Sequence, residues 1–297
     1  MVGQRKEVTL DYRSTAAHLL QGAYDLHVHA SPSHDARSVT DWDVLMDAEK
    51  AGMAGVLIKN HYEPTGGRAE SVNHIFNGTA RLYGGIALNL PVGGINPYAV
   101  ESAVRLGARM IWMPTRDAKN SIERAGRGVF RPHPGISVLD ESGNLISSVY
   151  EVLEIAKQYQ VCVSTGHLSL HESWEICRAG KEVGAQMILT HPEYDHTRIS
   201  VEDQLLFVRE GVMIEKDWVD IALRMASVEE VAGSIRKIGA AHIYLATDRG
   251  QASGEKPVEG MLLFLEGLLR CGVTEEELVV MIQENPRNVL QGGCMKR

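Results

Sequence analysis

The feature that most constrains the fold of this chain is an alternation of short apolar runs with amphipathic stretches. Several of the runs are continuously apolar, which is typical of parallel strands buried on both faces. Each run is followed by a stretch with the apolar spacing of a helix, and this pattern predicts a (β/α)8 TIM barrel. A doubly wound open sheet is the alternative, but no G-x-G-x-x-G follows the first run. The eight predicted strands are residues 23–30, 55–60, 82–89, 108–113, 161–166, 185–190, 211–215 and 242–247.

Helix boundaries support the same alternation. Several stretches begin with Ser or Thr followed three residues later by an acidic residue, which is the pattern of a capping box. Glycines stand where the preceding helices should end, as expected for a left-handed helix stop. The predicted helix starts are Thr40, Ser169, Ser200, Ser227 and Thr274.

The 297 residues suit one barrel domain over 1–297, with an N-terminal extension at 1–20. Residues 114–147 form a long insertion after the fourth strand, and "ISVLDESGNLIS" within it predicts a hairpin. Such an insertion is typically a lid or binding loop, with an oligomer contact as the alternative. Its basic residues could bind an anionic group or be solvated. They are Arg116, Lys119, Arg124, Arg127 and Arg131.

Composition narrows the class of partner. The net charge is −8 and no basic run occurs, so we expect neither nucleic acid nor a membrane as a partner. The N-terminus lacks the apolar core of a secretory signal. The four cysteines, Cys162, Cys177, Cys271 and Cys294, form no C-x-x-C, which favours free thiols and a cytoplasmic protein. We expect a small-molecule substrate, and a homo-oligomer formed through helices or the insertion stays open.

Histidines and one aspartate recur where the predicted strands end. His27 and His29 lie two apart in "AYDLHVHA", so a strand would point both imidazoles to one side. In a barrel, the carboxyl ends of all strands meet at one face, where chemistry takes place. A single histidine there could be an ordinary polar residue, but several together indicate a metal centre. Imidazole and carboxylate without thiolate suit Zn²⁺ first, with Mn²⁺ or Fe²⁺ as alternatives. The other residues at these ends are Lys59, His61, His167, His191 and Asp248.

These motifs resemble the amidohydrolase superfamily of metal-dependent barrel hydrolases, over about residues 20–290. The resemblance implies that His27, His29 and Asp248 bind the more buried cation. It also implies that His167 and His191 bind a second cation or orient the substrate. The matching stretches are "HVH" at 27–29, "TGH" at 165–167, "THPE" at 190–193, "TD" at 247–248 and "ENPRNVL" at 284–290.

The fourth strand departs from the family pattern. Two-metal members commonly carry a carbamylated lysine or a glutamate there, whereas this strand ends in Met113 and Pro114. The available lysine is Lys59, after the second strand. A lysine beside cations has a lowered pKa, so Lys59 could capture CO2 and bridge two cations or act as a base. Alternatively, the site holds one cation and the Lys59 ammonium binds substrate, or Lys59 extends from the barrel rim.

The resemblance implies a metal-dependent hydrolase in which metal-activated water attacks a small cyclic amide or imide. The C–N bond broken is not a peptide bond, and Asp248 acts first as general base and then as general acid. A lactonase or phosphoester hydrolase, a metal-dependent decarboxylase and a non-catalytic metal-binding barrel are the alternatives. Ordinary ion pairing is the alternative reading for three of the predicted substrate contacts, Glu193, Lys216 and Arg249. The full set of predicted contacts is His61, Glu193, Tyr194, Lys216 and Arg249. His61 could instead bind the cation or support the ligands from behind.

Overall fold

The computed structural model describes residues 11–126 and 128–292. Its eight strands form one parallel sheet in which each strand pairs with the next along the chain, so the predicted barrel is confirmed. Arg127 and Cys294, which the sequence analysis singled out, lie outside the described residues, as do residues 1–10 of the N-terminal extension. The strands are β1 Tyr24–Val28, β2 Gly55–Ile58, β3 Arg81–Ala87, β4 Ala108–Trp112, β5 Cys162–Ser164, β6 Met187–Leu189, β7 Met213–Asp217 and β8 Ile243–Ala246.

Helices follow each strand, and the four capping boxes at Thr40, Ser169, Ser227 and Thr274 start their helices as predicted. Ser200 caps its helix by accepting a hydrogen bond from the Asp203 backbone N–H. The helices are α1 Tyr12–Leu19, α2 Asp41–Lys50, α3 Gly66–Ile75, α4 Pro97–Arg105, α5 Lys119–Ala125, α6 Ser147–Tyr159, α7 Leu170–Val183, α8 Val201–Arg209, α9 Trp218–Ala222, α10 Val228–Ile238, α11 Pro257–Arg270, α12 Glu275–Val279 and α13 Asn285–Leu290.

Backbone hydrogen bonds between the first and last strands close the barrel. The backbone N–H of Asp248 donates to the His27 carbonyl at 2.8 Å, and the N–H of His29 donates to the Arg249 carbonyl at 2.8 Å. Just below, the buried Asp25 carboxylate accepts a hydrogen bond from the Thr247 N–H at 3.0 Å. The chain is therefore closed at the residues that the sequence analysis assigned to a metal centre.

Two apolar layers lie on either side of the sheet. The larger one packs the outer face of the strands against the helices, and a smaller one fills the barrel interior. Leu290 of α13 belongs to the interior layer and so plugs the end of the barrel opposite the strand carboxyl ends. Within the described ranges, no helix is both long and apolar enough to cross a lipid bilayer.

The insertion after β4 is partly helical. Its first part forms α5, which the sequence analysis placed within a loop. Further on, Leu139 pairs antiparallel with Leu145, and the Asp140 N–H donates to the Asn144 carbonyl at 2.8 Å, forming a tight turn. Helix α6 then begins at Ser147, where the insertion was predicted to end.

Candidate metal centre

The structure gathers the predicted ligands at the carboxyl ends of the strands. Ring centroids are 5.5 Å apart for His27 and His29, 6.0 Å for His27 and His191, and 5.0 Å for His167 and His191. The Nζ atom of Lys59 lies 3.0 Å from Nε2 of His27. These side chains are buried, so they form one compact cluster inside the barrel mouth.

Hydrogen bonds orient the imidazoles of His27, which lies in β1, and of His29, which directly follows this strand. Nδ1 of His27 lies 3.0 Å from Oε1 of Glu215, and Nδ1 of His29 lies 2.9 Å from the Lys59 carbonyl oxygen. Both acceptors require a proton on Nδ1, which leaves the Nε2 lone pairs free for another partner. The two Nε2 atoms converge on Oδ1 of Asp248, at 3.3 Å from His27 and 2.9 Å from His29.

This geometry fits a divalent cation. Oδ1 of Asp248 is buried and has no hydrogen-bond partner among residues 11–126 and 128–292. A buried carboxylate oxygen without a partner is costly, and a cation between it and the two Nε2 atoms would satisfy it. The donor set of two imidazoles and one carboxylate is typical of Zn²⁺, Mn²⁺ and Fe²⁺ sites. The group formed by His27, His29 and Asp248 is therefore the candidate cation site.

Negative charge accumulates behind His27. Oδ2 of Asp217 lies 3.3 Å from Nδ1 of His27, and neither carboxyl oxygen of Asp217 has a hydrogen-bond partner in the described part of the chain. The same holds for the fully buried Asp220. The hydroxyl of Tyr244 donates to Oε2 of Glu215. Several carboxylates thus lie close to the cluster, and a divalent cation would neutralise part of their negative charge.

The pKa values of the cluster reflect this charge. Burial alone would lower the pKa of His27, but the carboxylates of Asp248, Glu215 and Asp217 raise it to about 10. Burial raises the pKa of Asp217 well above its usual range, and the charge of Glu215 raises it further. Burial also lowers the pKa of Lys59, although the same carboxylates oppose that shift. Protons on His27 and Asp217 therefore offset the negative charge that a bound cation would offset in a metal site.

Burial disfavours the charged form of the other histidines at the site. Burial lowers the pKa of His29 to about 3 and that of His191 to about 4. Burial also lowers the pKa values of His61 and His167 well below their usual range. Neutral imidazole is the form that binds metal ions. Nδ1 of His191 lies 3.0 Å from Oγ1 of Thr197, whose hydroxyl donates to the His191 carbonyl at 2.9 Å, so the imidazole donates and its Nε2 is free.

Backbone strain occurs at two of these residues. His191 has φ +25° and Asp248 has φ +46°, in the left-handed region that residues other than glycine rarely adopt. Strained backbone persists where surrounding structure enforces it, and it is concentrated at functional sites. Asp248 is held by its backbone hydrogen bond to His27, which fixes the carboxylate over the cluster.

A cavity of about 710 Å³ opens above the cluster. Its wall includes the predicted ligands His29, Lys59, His167, His191 and Asp248. Among the predicted substrate contacts, His61, Tyr194 and Arg249 line it. Nδ1 of His61 contacts Oγ1 of Thr115 at 2.9 Å. The guanidinium of Arg249 is already engaged, since its Nε lies 2.9 Å from Oε1 of Glu255.

Glu193 and Lys216 lie elsewhere. Lys216 is fully buried, its Nζ donates to Oε1 of Gln204 at 2.6 Å, and it also pairs with Glu193. Neither residue belongs to the cavity wall. Their assignment as substrate contacts therefore finds no support in the cavity. Of the basic residues of the insertion that the structure describes, Arg116 alone lines the cavity.

Sequence reasoning assigned no role to several residues that shape the site. Glu215 and Asp217 of β7 both face His27, and the same spacing of two that identified His27 and His29 could have paired them. Arg37 and Tyr62 line the cavity from loops after β1 and β2, where no pattern marks them. Phe130 reaches the cavity from the insertion.

Comparison with known proteins places the chain in a family. A model described as a family of unknown function, DUF6282, matches residues 22–215. The chain belongs to this family. The DUF6282 match includes His27, His29, Lys59, His167 and His191, and it ends before Asp248. No curated protein matches the sequence.

Solved structures similar to this DUF6282 member share its fold. An amidohydrolase from Pseudomonas aeruginosa is 12% identical with a TM-score of 0.65, covering 97% of this chain and 100% of that one. The probable dipeptidase PvdM from Pseudomonas aeruginosa is 12% identical with a TM-score of 0.65, covering 96% and 98%. A 2,6-dihydroxybenzoate decarboxylase is 13% identical with a TM-score of 0.56, covering 91% and 99%. The predicted likeness to amidohydrolase barrels is thus confirmed at the level of the fold.

Proposed function

We propose that this protein is a metal-dependent hydrolase of a small molecule, with His27, His29 and Asp248 as ligands of a divalent cation. One observation carries the proposal. Hydrogen bonds at Nδ1 direct both Nε2 atoms toward Oδ1 of Asp248, a buried oxygen that has no hydrogen-bond partner in the described part of the chain, and Nζ of Lys59 also lies 3.0 Å from Nε2 of His27. The fold that the chain shares with an amidohydrolase and a probable dipeptidase supports the reaction class.

The roles of the residues follow from their positions. Bound at these ligands, a divalent cation supplies Lewis acidity, which makes water acidic enough to lose a proton near neutral pH. Asp248 lies between the ligand cluster and the cavity, with 12% of its side chain exposed. Its carboxylate is placed to take a proton from attacking water and to return it to the leaving group. His61, His191 and Tyr194 line the same cavity and are placed to orient the substrate.

Lys59 is placed to provide a ligand for a second cation. Its Nζ lies 3.0 Å from Nε2 of His27, and the residue is 2% exposed, so its amine points into the site rather than to the rim. An ammonium there would repel a bound cation. A neutral Lys59 amine can attack CO2, forming an N–C bond and releasing one amine proton to solvent. The resulting carbamate would supply oxygen ligands for a second cation together with His167 and His191.

The bond we favour is the C–N bond of a small cyclic amide or imide, because the five predicted ligands follow the amidohydrolase-like pattern and the cavity suits a small molecule. A decarboxylase is the second candidate. It is favoured by Met113 and Pro114 after β4, which offer no ligand for a second cation, and by the shared fold of a 2,6-dihydroxybenzoate decarboxylase. Zn²⁺ is the first choice of cation, with Mn²⁺ or Fe²⁺ next.

Metal content is the direct test. We would measure metals per chain by elemental mass spectrometry on protein purified without chelator and on protein reconstituted with Zn²⁺, Mn²⁺ or Fe²⁺. We expect Asp248→Asn to lose metal, whereas Asp195→Asn, at a carboxylate whose side chain is 60% exposed, should not. Two cations per chain, reduced when CO2 is excluded and restored by bicarbonate, would support the carbamate. Absence of bound metal after reconstitution would overturn the proposal.

Activity separates the reaction classes. A panel of cyclic amides, lactones, phosphoesters and aromatic carboxylates would be tested with the metal-loaded protein. Loss of a general acid–base group typically lowers the rate by roughly 10²–10⁴-fold, and we expect that loss in kcat for Asp248→Asn assayed with enough added metal ion to restore full loading. Turnover that survives the substitution at full metal loading would exclude Asp248 as the proton carrier.

A further inference from the structure

The loop after β1 carries a basic residue to the edge of the candidate metal centre. Arg37 pairs antiparallel with Gln251, and the Ser38 N–H donates to the Gly250 carbonyl at 3.0 Å. The loops that follow the first and last strands are therefore joined beside Asp248. As a result, Arg37 lines the same cavity as His29 and Asp248.

The Arg37 guanidinium is buried and poorly satisfied. Its side chain is 2% exposed, and within the described residues its hydrogen bonding is limited to Nη2 donating to Oδ2 of Asp35 at 3.1 Å. Its Nε is buried and has no acceptor in the same part of the chain. A buried guanidinium with unused donors is costly unless an anion is present to accept them. Burial also lowers the pKa of Arg37, and the neighbouring Arg116 charge adds to that shift, whereas Asp35 opposes it.

Asp35 does not neutralise this charge, because it is shared. Oδ2 of Asp35 also lies 2.7 Å from Nη1 of Arg116. Two guanidinium groups on one carboxylate leave an excess of one positive charge within the group of Asp35, Arg37 and Arg116, whereas the Asp248 carboxylate on the same wall belongs to the candidate cation site. The other arginine of the wall, Arg249, has its own carboxylate in Glu255. The unbalanced charge is thus located at Arg37 and Arg116.

An aromatic surface adjoins this charge. The rings of Tyr62 and Phe130 stack with centroids 5.4 Å apart, and His34 meets Tyr62 edge-on at 4.6 Å. Nη1 of Arg116 donates to the Tyr62 hydroxyl at 3.0 Å, which joins the aromatic surface to the basic pair. Phe130 is 62% exposed, so the surface is open at the cavity mouth. Flat apolar groups and a guanidinium side by side suit a ligand with an apolar body and an anionic end.

We infer that the substrate carries a carboxylate, and that Arg37, assisted by Arg116, binds it while the aromatic surface contacts the substrate's apolar part. The single excess positive charge matches a carboxylate better than a doubly charged phosphate monoester. The planar guanidinium also matches a carboxylate in a bidentate hydrogen bond. The inference rests on the proposed function only in assigning the substrate's reacting group to the neighbouring cation site.

Benzoate and its neutral isostere benzamide are suitable probes. Their affinities for the metal-loaded full chain would be measured by isothermal titration calorimetry, with phenyl phosphate as a third probe. We expect benzoate to bind more tightly than the other two. Arg37→Gln should weaken benzoate roughly 10–100-fold and leave benzamide unchanged, as expected for loss of a charge-assisted bidentate contact. Arg109→Gln is the matched control, because Arg109 lies near the amino end of β4, whereas the cavity lies at the carboxyl ends of the strands. This substitution should change neither affinity.

Several outcomes would overturn the inference. They are no detectable benzoate binding, equal binding of benzoate and benzamide, tightest binding of phenyl phosphate, or full benzoate affinity in Arg37→Gln. If Arg37→Gln fails to fold, Arg37→Lys keeps the charge but loses the planar fork, and it should bind benzoate with an intermediate affinity. The metal content of Arg37→Gln should equal that of the unmodified chain. Arg37-dependent benzoate binding without bound metal would therefore refute the proposed function alone.

Discussion

At the scale of single residues, Glu215 decides how His27 is presented to the site. Its Oε1 accepts the Nδ1 proton of His27 at 3.0 Å, which fixes the tautomer and raises the basicity of Nε2. Glu215→Gln keeps an acceptor of the same shape but removes the charge. Loss of such a partner typically weakens metal binding roughly 10–100-fold, and we expect that change in a competition with a metal-buffering chelator.

The matched control for this prediction is Glu210→Gln, at a half-buried carboxylate that pairs with Lys181 away from the cavity. It should leave metal affinity unchanged. An intermediate loss is expected for Tyr244→Phe, because the Tyr244 hydroxyl donates to the other oxygen of Glu215. Unaltered metal affinity in a folded Glu215→Gln protein would show that the carboxylate does not support His27.

The alternation of side chains along strands explains which site residues the sequence could identify. His27 and His29 lie two apart and face the same cluster, as the spacing predicted. Lys216 lies between Glu215 and Asp217, so its side chain points out of the barrel and meets Gln204 of α8. The strand period therefore argues against Lys216 as a substrate contact. Arg37 lies in a loop, where no period applies, and only the folded chain brings it to the cavity.

At the scale of elements, the insertion shows where sequence patterns fail. Helix α5 has no apolar face to detect, because its buried residues are Asn120 and Ser121. The Asn120 side chain donates to the His167 carbonyl at 3.0 Å and to the His196 carbonyl at 2.7 Å. Polar contacts with the loops of the site, rather than apolar packing, thus hold this helix in place. A helix of this kind leaves no hydrophobic periodicity in the sequence.

Asp117 anchors the rest of the insertion. It is fully buried, and its carboxylate accepts hydrogen bonds from the backbone N–H groups of Leu90 at 2.8 Å and Val129 at 2.7 Å. Asp117→Asn places an amide N–H against one of these donors and removes the charge that strengthens both bonds. We expect trypsin to cut the folded protein after Arg124 roughly 10-fold faster, because local opening becomes easier.

Asp140→Asn is the control for that experiment. Asp140 is an exposed aspartate in the same insertion, and its carboxylate accepts hydrogen bonds within the tight turn, from the Ser142 N–H at 2.8 Å and the Asn144 N–H at 3.0 Å. Its substitution should loosen the turn and leave tryptic cleavage after Arg124 unchanged. Equal cleavage of the two variants would show that Asp117 does not anchor the segment next to Phe130.

At the scale of the whole molecule, the barrel was predictable because eight strand–helix units recur along the chain, and a pattern repeated that often tolerates errors at single boundaries. The contacts that close it were not predictable in the same way. β1 and β8 are separated by most of the sequence, and they meet where the backbone N–H of Asp248 donates to the His27 carbonyl at 2.8 Å. Long-range pairing of this kind depends on the completed fold and leaves no local signal.

This closure couples the candidate metal centre to the stability of the whole chain. A cation held by His27, His29 and Asp248 would link the first strand to the residues after the last, at the position where the barrel closes. A ligand at 100 times its dissociation constant stabilises the folded state by about 2.7 kcal/mol. For a chain of this size we expect chelation to lower Tm by roughly 5 °C or more, measured by differential scanning calorimetry. Asp248→Asn should lose this metal-dependent shift in Tm, and Asp195→Asn should keep it. Equal Tm values for the metal-loaded and metal-free protein would show that the cation does not stabilise the closed barrel.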